Sequence, residues 1–367
     1  MKESFATALS ALSQQGNLRR ISEENAPEGL LDLSSNDYLG LGQDQAFRRY
    51  LLEYALEHEL PASASASRLL AAHQEEFTRL ERLIGTLYPG RKALTFNSGY
   101  HANTGIISAL ADRSTLVLAD RLVHASIIDG IVLSRAQMMR FRHNDYAHLR
   151  ELLNTKGKDF SSVLIVAESV YSMDGDKTDI DELARIKQTH PGALLYIDEA
   201  HAFGVEGPQG RGCSVASSYY EDVDVIVGTF GKAIATAGAF AAVAPEVREY
   251  LVNRARSLIF STALPPAVAA WSRLSIEKML GMDAERAHLC QLGQELSALL
   301  GNSLGSHIQP YIVGDAQRAV ELSQQLLSQG IKVLPIRTPT VPPGTERLRF
   351  SLSAAIPELP KFAIHNS

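Results

Sequence analysis

A single lysine, Lys232, interrupts the run VDVIVGTFGKAIATAGAF (residues 223–240), where a β-branched stretch empties into a loop of Gly, Ala and Thr. An ammonium on a turn ordinarily points into water, so Lys232 acquires chemical meaning only from its company. Other apolar runs along the chain are likewise followed at once by reactive or polar residues. ALTF leads to Ser98, Gly99 and Tyr100 at the start of a helical pattern, where backbone N–H groups and a glycine's close approach suit a phosphate. TLVLAD leads to His124, SVLIVAES to Ser172, ALLYI to Asp198 and His201, and VDVIVG to Thr229 and Lys232. Taken singly, each has a plainer reading, such as a helix cap for Asp198. Taken together they supply a phosphate cradle, a flat ring to stack on, an acid, an imidazole and an amine. Pyridoxal 5'-phosphate requires that set: the amine forms a Schiff base with the aldehyde, the carboxylate keeps the pyridine nitrogen protonated, and backbone donors hold the phosphate.

These residues meet only if the apolar runs lie side by side. Between residues 93 and 245 short apolar runs (ALTF, TLVLAD, QMMRF, SVLIVAES, ALLYIDEA, VDVIVGT, GAFAAVA) alternate with amphipathic segments, which predicts an α/β unit with a largely parallel sheet. Ligands of such sheets sit at the carboxyl ends of the strands. Upstream, Phe5, Ala8, Leu9 and Leu12 at helical spacing predict an opening helix within residues 3–20, LLDLSSNDYLGLG predicts a short strand and turn, and helices are expected near 44–58 and 73–85. PASASASRLLAA between them reads as a linker. Helical sequence dominates 246–301, broken at STALPP, and an α+β pattern follows in IQPYIVG, a helix over 315–328, IKVLPI and RLRFSL. No internal repeat or low-complexity tract is evident.

Composition narrows the setting. The 367 residues are 45% apolar and 21% charged, as in ordinary globular proteins, and the net charge of -6 gives no reason to expect nucleic acid or an anionic membrane as a partner. Cys213 and Cys290 form no CxxC or zinc-ligand spacing, and neither a secretory leader nor an apolar span is present, so a cytoplasmic protein without a metal site is expected.

LLYIDEAHAFGVEGPQGRG followed by VGTFGKAIATAGAF resembles the α-oxoamine synthases, and the resemblance extends from LDLSSNDYLGLG through ADRLVHASI, ESVYSMDGD and FSTALPP to PTVPPGTERLRFSLSAA. It implies a fold-type I pyridoxal-phosphate transferase, aspartate aminotransferase-like, whose large domain has a mainly parallel sheet and whose C-terminal domain is smaller and α+β. The expected division is an N-terminal segment over 1–40 contacting a dimer partner, a cofactor domain over 41–270 and a small domain over 271–367. The implied reaction is decarboxylative condensation of an amino acid with an acyl thioester. The LRRI and IRTPTVPPGTERLRFSLSAA segments, with Arg337, point to the branch that joins L-alanine to pimeloyl-CoA or a pimeloyl carrier protein in biotin synthesis, with siblings using glycine or serine as the alternative. Carried over by motif, Lys232 is the Schiff-base lysine, Asp198 the partner of the pyridinium nitrogen, His201 a donor to the phenolic oxygen and His124 the ring-stacking residue. Gly99, Tyr100 and Thr229 bind phosphate, with Ser261 and Thr262 reaching a phosphate across the interface of a homodimer. Ser172 lies beside both cofactor and substrate, Arg349 grips the amino-acid carboxylate, and Arg19, Arg337 and Thr340 line the acyl side. The chain departs from the family in its Ala-rich 61–77 segment, where glycines are usual, in Phe77, where a histidine is usual, and in a short tail after Ala355.

Overall fold

The computed structural model describes residues 2–19, 21, 29–360, 362 and 364. Arg20 and residues 22–28, part of the segment expected to contact a partner, therefore lie outside the described residues. In chain order the strands are β1 (Leu31–Asp32), β2 (Lys92–Phe96), β3 (Thr115–Asp120), β4 (Gln137–Phe141), β5 (Ser162–Glu168), β6 (Ala193–Asp198), β7 (Val225–Thr229), β8 (Ala239–Val243), β9 (Ile308–Ile312), β10 (Ile331–Lys332), β11 (Leu334–Ile336) and β12 (Arg347–Ser351). The chain separates into a small unit, Met1–Tyr38, Ser172–Gly175 and Ala287–Ser367, and a large unit, Leu39–Tyr171 and Asp176–Arg286.

The large unit is built on one seven-stranded sheet in the order β2-β8-β7-β6-β5-β3-β4. Strands β3 to β7 pair in parallel, as their continuous apolar sequence predicts for strands covered on both faces. The exception is β8, antiparallel to both β2 and β7. It follows β7 after the tight loop carrying Lys232, and a connection that short cannot make the crossover a parallel pair needs. A core of Ile106, Val117, Ile127, Val166, Val227 and Ala241, all essentially inaccessible, joins the sheet to its helices.

Several helix starts that follow the strands are set by side-chain caps. Ser98 accepts from the His101 N–H at the head of the helix Gly99–Leu110, and Asp145 and Asp179 cap Tyr146–Lys156 and Ile180–Gln188 in the same way. His124 caps Ala125–Ser134 through its ring, accepting from the Ser126 N–H. This last helix packs on Gly99–Leu110 at Gly130, where an added Cβ would lie 2.9 Å from the Asn103 carbonyl oxygen and 3.1 Å from the Ile107 Cβ. The glycine thus sets the spacing of the two helices that bear His124 and Asn103.

Within the small unit β11, β12 and β9 form an antiparallel sheet, and β1 pairs with β10 in parallel. The run IKVLPI, expected as one strand, is split between these two sheets. Val333 stands between the pieces, and its carbonyl accepts from the Ser323 hydroxyl at 2.7 Å instead of from a ladder partner. The opening helix, Lys2–Gln14, leaves Phe5, Leu9 and Leu12 exposed. Residues 61–68 form no regular linker: Ser65 has a φ of 48°, and Ser67 bridges to Thr262. Past Ala355 no helix forms among the described residues.

Gly130→Ala is expected to destabilise the protein by about 1 to 3 kcal/mol, because the methyl meets backbone on the facing helix. Urea unfolding of the cofactor-free protein measures it, and an unchanged midpoint would contradict the close-packing account.

Candidate active site

The end of β6 places Asp198 in the interior at 4% exposure. Its Oδ2 accepts from Asn103 Nδ2 at 2.7 Å, and its Oδ1 accepts from the Ala200 N–H at 2.9 Å. Asn103 also donates to the Ser126 hydroxyl at 2.9 Å and accepts from the Tyr196 hydroxyl at 2.5 Å. Ser126 Oγ in turn lies 2.8 Å from His124 Nδ1. One buried amide therefore orients both the carboxylate and, through a serine, the imidazole. The Ser126 N–H contacts the same ring nitrogen at 3.2 Å. A backbone N–H only donates, so Nδ1 is an acceptor and the neutral ring carries its proton on Nε2.

The environment keeps His124 neutral. Burial lowers its pKa from 6.5, and the Lys232 charge adds to that against the opposing pull of Asp198 and Asp129. Glu168, cross-strand from Asp198 in the β5–β6 register, accepts from the His124 N–H at 2.5 Å. Burial first and the Asp198 charge second push the Glu168 carboxyl well above its ordinary range.

Lys232 Nζ lies 2.9 Å from His201 Nε2, so the last strand-end amine and the DEAH imidazole converge. The β7 end brings Thr229 to Gly99: a Cβ added at Gly99 would lie 3.9 Å from Thr229 Oγ1. Tyr100, in the first turn of that helix, donates to Asp129 Oδ2 at 2.5 Å. Asn97 Nδ2 donates to the Thr262 carbonyl at 2.5 Å, which ties the Ser261–Thr262 segment to the end of β2 within one chain. Gly99, Tyr100, His124, Asp198, His201, Thr229, Lys232, Ser261 and Thr262 all belong to the large unit. Asn103, Ser126, Glu168 and Tyr196 escaped the sequence reading, because they sit inside a helix or strand or cap a ring rather than at the head of a loop.

The remaining site residues belong to the small unit. Arg349 on β12 is 3% exposed. Its Nε donates to the Ser172 carbonyl at 2.5 Å, and both terminal nitrogens lie 3.2 Å from Asn36 Oδ1. Its neighbour Arg347 pairs instead with the Asp174 carboxylate. Among the described residues Arg349 has no carboxylate partner. Arg19 donates to Thr340 Oγ1 at 3.0 Å, and Arg337 donates to the Gly16 carbonyl. Burial first and the Arg19 charge second lower the Arg337 pKa.

The family model of class I and II aminotransferases matches residues 28–359. An 8-amino-7-oxononanoate synthase of Haemophilus ducreyi is 43% identical over 96% of this chain and 97% of its own. A Pasteurella multocida protein that bears the same name provisionally is 46% identical over 89% of this chain and 86% of its own. The chain belongs to the α-oxoamine synthases. Among solved structures, a serine palmitoyltransferase from S. paucimobilis with bound PLP–myriocin aldimine superposes with a TM-score of 0.87 at 30% identity, covering 96% of this chain and 92% of that one. The 8-amino-7-oxononanoate synthase of Francisella tularensis gives 0.74 at 29% identity, over 89% and 93%. This α-oxoamine synthase is thus a pyridoxal-phosphate-dependent acyltransferase on the fold-type I scaffold. The chemistry of its donors fits the cofactor: a buried carboxylate, a neutral imidazole, an amine beside a second imidazole, and a helix start next to a threonine hydroxyl. Among the described residues no group of side chains could hold a metal, and no helix is long and apolar enough to cross a membrane.

The lowered His124 pKa has a signed consequence. Its folded value lies below the 6.5 of the unfolded chain, so its contribution to stability is present above pH 6.5 and is lost as pH falls through the folded value. NMR titration of the cofactor-free protein should give a His124 midpoint below 6.5, and His124→Asn should flatten the loss of stability between pH 7 and pH 5. A midpoint at or above 6.5 would contradict the neutral-ring assignment.

Proposed function

We propose that this enzyme condenses L-alanine with a pimeloyl thioester, pimeloyl-CoA or a pimeloyl carrier protein, to give 8-amino-7-oxononanoate, carbon dioxide and free thiol in biotin synthesis. The observation that carries the amino-acid half is Arg349, a nearly inaccessible guanidinium that donates to the Ser172 carbonyl and Asn36 Oδ1 and has no carboxylate partner among the described residues. Buried charges are ordinarily paired, and a substrate carboxylate in a bidentate fork is the natural complement. Two guanidinium groups whose charges feel one another, Arg19 and Arg337, suit a second anion, as the distal carboxylate of a pimeloyl chain or a phosphate of its carrier would supply.

Lys232 would be the amine that holds the cofactor, and its Nζ, with His201 Nε2 beside it, would be the base for the substrate's Cα proton. Pyridoxal 5'-phosphate, when bound, accepts the electrons released by loss of that proton and later of carbon dioxide. Asp198, fixed by Asn103, keeps the ring nitrogen protonated. His124 would hold the ring face, and its Nε2 proton is available to a carbonyl oxygen. The first turn of Gly99–Leu110, with Gly99, Tyr100 and Thr229, holds the phosphate. Ser261 and Thr262 serve a phosphate across a homodimer interface. The exposed Phe5, Leu9 and Leu12 face of the opening helix supports association with a second copy.

A sibling activity with serine or glycine is the second reading, favoured by the higher TM-score to serine palmitoyltransferase, 0.87 against 0.74. Alanine differs from glycine by one methyl, worth about 1 to 3 kcal/mol in a pocket.

Thiol release from pimeloyl-CoA by the loaded enzyme, with alanine, glycine and serine offered in parallel, tests the proposal. Turnover with alanine and formation of the oxo-amine acid are expected, and release only with serine or glycine would transfer the enzyme to the sibling activity. Lys232→Ala should lower turnover by about a thousandfold or more, and Arg349→Gln should raise KM for the amino acid by about ten- to a hundredfold. Appreciable steady-state turnover in Lys232→Ala would contradict the role of that amine.

A further inference from the structure

A second polar cluster in the large unit lies apart from the cofactor residues. His143, just beyond β4, is held by a carboxylate at each ring nitrogen: Nδ1 lies 2.9 Å from Asp120 Oδ1, and Nε2 lies 2.7 Å from Asp176 Oδ2. Both ring nitrogens donate, so the ring is an imidazolium. Asp120 is fully buried at the end of β3, the strand that leads to His124. Its Oδ1 also accepts from the Leu122 N–H at 2.8 Å, two residues before His124, and its Oδ2 accepts from the Asn144 N–H at 2.9 Å. Asp176 closes the root of a hairpin. The Tyr171 N–H donates to the Asp176 carbonyl at 3.0 Å, the Thr178 N–H donates to the Ser169 carbonyl at 3.1 Å, and Val170 bridges to Lys177. Residues 172–175, the tip of that hairpin, carry Ser172, whose carbonyl receives Arg349. Asp176 Oδ2 also accepts from Asn144 Nδ2 at 2.9 Å, and Tyr171 sets its ring edge against His143 at 4.4 Å between centroids.

We propose that His143 is a positioning residue for the reaction: it staples Asp120 to Asp176, and so fixes both the turn that presents His124 and the root of the hairpin that presents Ser172. The Asp120 bond to Leu122 transmits the first effect, and the Tyr171 and Thr178 backbone bonds transmit the second. Two carboxylates in one partly buried site repel each other without a cation between them, so loss of the imidazolium releases both segments together. The inference rests on the proposed roles of His124 and Arg349.

Burial works against the charge on His143, but hydrogen bonds to Asp120 and Asp176, with their charges, raise its pKa from 6.5 to about 10. The other titratable groups around the site are Tyr171, Tyr146, Lys177, Asp179 and Glu168. Burial pushes the Tyr171 phenol well above its usual range with help from Asp120, and burial raises Tyr146 too. Lys177 pairs with Glu206. Because the folded value is the higher one, the stabilisation is complete below pH 6.5 and is lost as pH rises through about 10.

The test uses the pyridoxal-phosphate-loaded protein, wild type beside His143→Gln, Asp176→Asn and the double variant. Two readouts need no acyl donor: the dissociation constant for alanine, glycine and serine from the cofactor absorbance, and the circular dichroism induced in the bound cofactor. Each single variant should retain stoichiometric cofactor, weaken amino-acid binding by about ten- to a hundredfold and reduce the induced signal. The double variant should be no worse than the poorer single, since both remove one interaction. The deficit of His143→Gln in thermal midpoint should narrow between pH 8 and pH 10.5. Binding and dichroism at wild-type values per loaded site, or losses that merely track the folded fraction, would overturn the proposal. If no amino acid perturbs the wild-type spectrum, the proposed function fails, and the dichroism and pH dependence still decide the role of His143.

Discussion

A carboxylate kept in a water-poor interior is the constraint around which the large unit is arranged. Asp198 can remain useful at 4% exposure only if its oxygens are answered, and Asn103 and the Ala200 N–H answer them. Asn103 sits inside a helix packed closely on its neighbour, and Gly130 on that neighbouring helix makes the approach possible. The same amide reaches Ser126, which turns His124. Helix spacing, carboxylate orientation and imidazole tautomer are therefore parts of one packing solution.

The two units divide the chemistry. The large unit holds the groups suited to a cofactor, at the carboxyl ends of parallel strands as open α/β sheets generally arrange their ligands. The small unit holds the guanidinium groups suited to substrate anions. Glu168 adds a further restraint: its buried carboxyl, pushed up by burial and by the Asp198 charge, accepts the His124 N–H.

Much of this was legible in the sequence because strand ends are local events. The runs TLVLAD and VDVIVGT end where β3 and β7 end, ALLYIDEA passes the end of β6 by two residues, and the residues at or just past these ends are the ones that converge. The caps at Asp145 and Asp179 are local events too, each accepting from the N–H three residues on. Illegible were features set by contact across the fold. Asn103 looks like an ordinary helical residue, and only Asp198, far along the chain, gives it a task. The HND at 143–145 looks like a turn until Asp120 and Asp176 arrive on either side of the imidazole. IKVLPI reads as one strand because nothing local reports that Ser323 will take the Val333 carbonyl.

The central claim is that Lys232 is the amine that carries pyridoxal 5'-phosphate in the cradle formed with Asp198, His124 and His201. Borohydride reduction of the loaded protein followed by peptide mapping tests it most directly. The account predicts one pyridoxyl group per chain, on the Lys232 peptide, with bleaching of the cofactor absorbance. A pyridoxyl group on another lysine, or no stable adduct in a fully loaded protein, would contradict it.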